Sequence, residues 1–147
     1  MDFSLTSPAF AEGGQIPTEH GCDGGDSPIP LRWSGTPDGT SELALVMDDP
    51  DARGFVHWVV TGIPASVSEL GAGGLPAGAR EGQNDFGRAG YGGPCPPSGS
   101  HRYVLTLYAL SAPLELAGSP SAEDVRAAAR EGAVAEARLA GSYQRQR

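Results

Sequence analysis

Apolar and polar positions along the chain fall into two periods. Leu43 to Met47 is an unbroken aliphatic and sulfur-bearing run that stops at an Asp-Asp-Pro-Asp turn. A continuous run this short, closed by a turn signal, predicts a buried strand over Ser41 to Met47. Residues Gly54 to Thr61 are rich in β-branched and aromatic side chains and predict a second strand. Simple alternation there puts His57 on one face with Phe55 and Val59. A third strand, His101 to Leu110, places His101 and Tyr103 on a face that Leu105 and Leu107 continue into the core. A polar pair at the mouth of an otherwise apolar strand marks the rim of a pocket.

The remaining segments connect these strands. Phe10 to Ser34 carries Gly and Pro every few residues and predicts short strands and turns laid over a sheet edge. Ile63 to Arg80 reads as a surface crossing. Glu81 to Ser100 reads as a long irregular loop, a class that inside a compact domain is usually functional or mobile. The period then changes. Ser121 and Asp124 form a capping-box pattern ahead of an alanine-rich run, predicting a helix over Ser121 to Glu131. Gly132 ends it, and a second short helix is expected over Ala133 to Ala140. Strands first and helices last imply a mainly β (α+β) fold in a single domain, 1–147.

Composition narrows the function classes. The 147 residues suit one domain, and 22 glycines with 13 prolines act as turn punctuation in a β protein. Leu43 to Met47 is the longest aliphatic stretch, which excludes a transmembrane helix and integral membrane association. Met1 to Gly14 has neither a basic start nor an apolar segment of signal-peptide length, so a cytoplasmic location is expected. In that setting Cys22 and Cys95 are expected as two reduced thiols. Ten basic residues against eighteen acidic ones give a net charge of −8, which argues against nucleic acid as a partner. Every basic residue is Arg, so chemistry that needs a lysine is excluded.

Candidate chemistry gathers near the strand ends. Pro50 keeps Asp49 out of the helical region, so Asp49-Pro50-Asp51 is expected to be extended with both carboxylates pointing the same way. They could orient histidines, act as acid and base, or hold a hard cation; a solvated acidic turn is the plainer alternative. Likewise, either histidine taken alone could be a core residue satisfied by a backbone carbonyl. Gly92-Gly93-Pro94-Cys95-Pro96-Pro97-Ser98-Gly99 would form a rigid wall beside the imidazoles. No zinc spacing, EF-hand loop or nucleophile elbow is present, and Cys22 near His20 and Asp23 is too sparse for a metal site. No metal and no cofactor are expected.

Asp-Asp-Pro-Asp-Ala at 48–52, Phe-Val-His-Trp-Val-Val at 55–60 and Gly-Tyr-Gly-Gly-Pro-Cys-Pro-Pro-Ser-Gly-Ser-His-Arg-Tyr at 90–103 resemble the phosphatidylethanolamine-binding protein family, in its bacterial, Raf-kinase-inhibitor-like branch. The resemblance runs from Ser7-Pro8-Ala9-Phe10 to Gly141-Ser142-Tyr143. It implies a large central antiparallel sheet packed on a smaller one, with helices near the C-terminus. It also implies a small pocket that accepts phosphate, acetate or a phospholipid head group. Carried over by position, that pocket comprises Asp49, Asp51, His57, His101 and Tyr103, with Pro50, Gly93 and Pro94 as walls, while Trp58 faces the opposite side as core. Departures from the family pattern are Arg53 in place of Pro, Thr61-Gly62 in place of Tyr-Asn, Pro28-Ile29-Pro30 in place of Ser-Pro-Pro, and Gly132-Ala133-Val134 without the usual histidine.

Three functions follow as expectations. The first is a binding protein for a small anionic or polar molecule. The second is an enzyme in a small-molecule pathway, with His57, His101 and Asp49 performing acid–base cyclisation, isomerisation or elimination. The third is an inhibitor of a kinase or protease by protein contact, with the target unknown and a homodimer left open.

Overall fold

The computed structural model describes residues 2–71, 74–114 and 119–145. Its strands are β1 (Ser4–Thr6), β2 (Leu31–Ser34), β3 (Glu42–Asp49), β4 (Phe55–Pro64), β5 (Glu69–Leu70), β6 (Arg80–Glu81), β7 (Ser100–Leu110) and β8 (Ala133–Gln144). Among the described residues one α-helix, α1 (Ala122–Gly132), precedes β8. The strands form two antiparallel sheets, a small one ordered β1-β2-β5 and a five-stranded one ordered β6-β4-β3-β7-β8. The protein is therefore mainly β, as the sequence pattern implies.

The principal core lies between the sheets. Leu5, Leu31, Trp33 and Leu70 from the small sheet meet Leu45, Met47, Trp58, Tyr103, Leu105 and Leu107 from the large one. Burying each such side chain contributes about 1.5–3 kcal/mol. The other face of the large sheet is covered by α1, whose Ala122 and Val125 pack on Ala44, Val46, Val56 and Val59. That helix starts at a capping box: Asp124 N–H donates to Ser121 Oγ (3.1 Å), and Ser121 N–H donates to Asp124 Oδ2 (2.9 Å). An ion pair from Arg126 to Asp48 (2.7 Å) ties the helix to β3.

Three expectations need correction. No helix covers Ala133 to Ala140: this segment is the start of β8, which pairs with β7 along its length. Alanine favours helix locally, but alternation settles the outcome. Ala137 and Leu139 point into the core while Glu136 and Arg138 point outward, which only a strand in this register allows. The crossing Ile63 to Arg80 is also not wholly irregular, because β5 falls within it and buries Leu70 against β2. Finally, Cys22 and Cys95 are joined in a disulfide, their Cα atoms 5.4 Å apart, and are not free thiols. The fold brings together two cysteines 73 residues apart, a proximity that neither local segment announces.

The punctuated N-terminal segment does run along a sheet edge. Gly13 N–H donates to Ala140, Ile16 N–H to Ser142 and Ser142 N–H to Gly14, so 13–16 covers the outer side of β8. An otherwise open edge strand is thereby protected. Among the described residues no helix is long and apolar enough to cross a membrane.

Candidate functional site

The site is built where β3 ends. Asp49 is extended (φ −117°, ψ 98°), as the following proline requires, but Pro50–Ala52 is a single 3-10 turn. The Asp-Pro-Asp tripeptide is therefore not extended throughout. Asp49 closes the turn by accepting from Asp51 N–H at Oδ1 (2.9 Å). This coil sends the two carboxylates to different partners. Asp49 Oδ2 accepts from His101 Nδ1 (2.7 Å), whereas Asp51 Oδ2 accepts from Arg102 N–H (2.8 Å) on β7. Arg53 then takes a left-handed conformation (φ 58°) that a proline cannot adopt, so this departure from the family pattern is also a change of backbone.

His57 owes its place to an irregularity. Met47 lies opposite Trp58 and Asp48 opposite Val56, so His57 is the extra residue of a bulge between β3 and β4. The bulge breaks the expected alternation. Phe55 stays beside His57 (ring centroids 5.2 Å), but Val59 turns to the face covered by α1. Trp58, instead of facing away, joins the core cluster that contains Tyr103, with its indole N–H bonded to Glu81 (3.0 Å). His57 is buried, and its Nδ1 lies 2.7 Å from the carbonyl oxygen of Gly92.

His101 and Tyr103 are two apart on β7, and Tyr103 touches both imidazoles. Its ring centroid is 5.2 Å from that of His57 and 6.5 Å from that of His101. A cavity of about 200 Å³ opens here, bounded by Asp49, His57, His101 and Tyr103 together with Phe55 and Phe86. Pro96, Pro97, Cys95 and Ala52 complete its wall.

The hydrogen bonds fix both ring tautomers. A carbonyl oxygen and a carboxylate can only accept, so Nδ1 carries the proton in His57 and in His101. Nε2 is then the titrating nitrogen of each ring: a lone pair when the ring is neutral, an N–H donor when it is protonated. Burial pushes the His57 pKa below its usual 6.5, with the Gly92 carbonyl and the Asp49 carboxylate opposing that shift. Burial, reinforced by Asp49, raises the Tyr103 pKa, so its hydroxyl stays protonated and able to donate. The His57 ring is thus favoured in its neutral form.

Not every expected residue lines this cavity. Asp49, His57, His101 and Tyr103 do. Asp51 instead faces an adjoining recess with His101, Arg102, Glu12 and Ser142. Pro50 is exposed at the start of the turn. Gly93 and Pro94 stand behind the wall. Gly93 N–H donates to Asp26 (3.0 Å) and the Pro94 carbonyl accepts from Cys22 N–H (3.0 Å). The wall itself is formed by the three residues that follow. Phe86 and the Cys22–Cys95 brace were missed. Phe86 sits in a polar run, and nothing local links positions 22 and 95. The departures at Thr61-Gly62, Pro28-Ile29-Pro30 and Gly132-Ala133-Val134 all lie outside the cavity lining.

Among the described residues, no group of three His, Cys, Asp or Glu side chains is arranged to hold a metal ion.

The family model for phosphatidylethanolamine-binding protein matches residues 6–144. A UPF0098 protein of Methanothermobacter thermautotrophicus is 44% identical over 149 residues, covering 97% of this chain and 99% of that relative. A UPF0098 protein of Aquifex aeolicus is 42% identical over 151 residues, covering 95% of this chain and 86% of that one. Among solved structures, Escherichia coli YbcL, described as a new member of the mammalian PEBP family, superimposes with a TM-score of 0.90. It is 34% identical, with 99% of this chain and 100% of that one covered.

Proposed function

The chain belongs to the phosphatidylethanolamine-binding protein family, and on that premise we propose that it binds a small anion, phosphate or a phosphate ester, in the cavity beside His57 and His101. The observation that carries the reading is the pair of committed Nδ1 atoms. With both Nδ1 atoms engaged by Gly92 and Asp49, Nε2 of each ring is the nitrogen left for a ligand, and it donates whenever its ring is protonated. The Tyr103 hydroxyl supplies a donor at every physiological pH. A recess shields these groups from the net −8 charge of the chain, whose field opposes anion approach only at longer range.

The test is calorimetric titration from pH 8 to pH 5, using phosphate and also sulfate, whose charge is constant over that range. Affinity for both anions rises as pH falls, by about tenfold or more, and for sulfate the rise reports the protein alone. His57→Ala and His101→Ala each flatten the profile. Equal sulfate affinity at pH 5 and pH 8 in the wild type would overturn the reading.

Acid–base catalysis in the same cavity is the second reading. It is favoured by the contrast between the two rings: burial favours the neutral, basic form of His57, while His101 donates its Nδ1–H to the Asp49 carboxylate. Turnover of any substrate that survives loss of both histidines would remove it.

A further inference from the structure

Phe86 is a large aromatic side chain left 42% exposed, in a loop that does not need it for anchorage. Asn84, only 4% exposed, already holds that loop. Its Oδ1 accepts from Phe86 N–H (2.9 Å) and Arg88 N–H (3.4 Å), and its Nδ2 donates to the Gly90 carbonyl (2.9 Å). Asp85 adds a bond from Val56 N–H (2.7 Å), fastening the loop to β4. The Phe86 ring is thereby held edge-on to Phe55 (centroids 4.8 Å) and to His57 (5.3 Å), with the Arg88 guanidinium 5.5 Å from its centroid. Even the backbone makes room. A Cβ at position 92 would lie 2.3 Å from the Phe86 ring, so the glycine whose carbonyl orients His57 also admits Phe86 beside it.

The ring is pre-positioned, partly open to solvent and part of the cavity wall. Most of that wall is hydrocarbon: Phe55, Phe86, Pro96, Pro97 and the ring of Tyr103, with His57, His101 and Asp49 among its polar side chains. At about 200 Å³ the cavity is below the roughly 300–1,000 Å³ of drug-sized sites, yet a bare tetrahedral anion would leave its apolar wall uncovered.

We propose that Phe86 sets specificity, and that the ligand is an anion carried on a compact apolar stem, of which an aryl phosphate is the model. The inference rests on the anion-binding reading and deepens it by naming what must be attached to the anion. Edge-to-face contact with an aryl group is worth a few-fold to about tenfold in affinity, on top of the area it buries.

The experiment compares phenyl phosphate with methyl phosphate, by calorimetry at pH 6, on the full chain. Wild type binds phenyl phosphate about tenfold more tightly. Phe86→Ala cuts that preference to about threefold or less, while Phe86→Leu keeps part of it. Because Asn84 anchors the loop, the alanine variant folds, which circular dichroism verifies. Methyl phosphate binding with no phenyl preference, or a preference that survives in Phe86→Ala, overturns this inference alone. No binding of either ester overturns the anion-binding reading as well.

Discussion

Gly92 and Gly93 are adjacent in sequence and both behind or beside the cavity, but their neighbours give them opposite sensitivities. An added Cβ at Gly93 would lie 2.2 Å from the backbone carbonyl oxygen of His20 and 2.5 Å from Asp26 Oδ1. Neither obstacle yields easily. The His20 carbonyl accepts from the Tyr91 hydroxyl (2.7 Å), and the neighbouring Cys22 is held by the disulfide and by its N–H bond to Pro94. Relief would also break the Gly93 N–H bond to Asp26. Overpacking of about 1–3 kcal/mol and loss of a charge-assisted hydrogen bond of about 1.5–3 kcal/mol give roughly 2.5–6 kcal/mol for Gly93→Ala. At Gly92 the obstacle is the Phe86 side chain, which is partly exposed and can swing outward. That costs its two ring contacts, about 1–3 kcal/mol. Urea unfolding of both variants, with the disulfide intact and the slope checked against wild type, measures the difference. A Gly93→Ala variant within about 1 kcal/mol of wild type, or one more stable than Gly92→Ala, would refute the packing argument.

Two further predictions concern the brace and the buried ring. Replacing Cys22 and Cys95 by serine removes a cross-link spanning 73 residues, for which the chain-entropy model gives about 4 kcal/mol and typical cases 2–4 kcal/mol. A loss below about 1 kcal/mol in urea unfolding would contradict it. Reducing compartments keep thiols reduced, so alkylation of the protein in intact cells separates the disulfide-bonded form from the cytoplasmic thiols expected from the sequence. For His57, burial lowers the folded-state pKa below the 6.5 of the unfolded chain. Above pH 6.5 neither state is protonated and the group contributes no pH dependence; below it the unfolded chain takes up the proton first and stability falls, levelling off beneath the folded-state value. His57→Gln should therefore lose less stability than wild type between pH 7 and pH 5, and identical losses would count against a buried, neutral ring.

How far the sequence revealed the site depends on the kind of signal. The central strands β3, β4 and β7 were legible because continuous apolar runs and turn residues are local, and so was the capping box of α1. Segment Ala133 to Ala140 misleads because alanine favours helix locally, whereas the strand is reported only by the Glu136/Arg138 alternation. His57 and His101 were legible as polar positions in apolar strands. Their common cavity was legible only through the three family-like motifs, since no local pattern reports which strands become neighbours. Three features were invisible for the same reason. The bulge at His57 is a register property of two strands. The disulfide depends on closing a long loop. Phe86 gains its role only once Asn84 folds the 84–90 loop back over β4.

The central claim is that both imidazoles keep Nδ1 protonated and respond through Nε2 to one ligand in one cavity. Long-range proton–nitrogen NMR of the histidine rings tests this directly. At pH 7.5 His57 and His101 should both show the Nδ1–H tautomer, and phosphate added at pH 6 should shift both Nε2 resonances with a single shared Kd. An Nε2–H tautomer at either ring, or a phosphate response at one ring without the other, would contradict it.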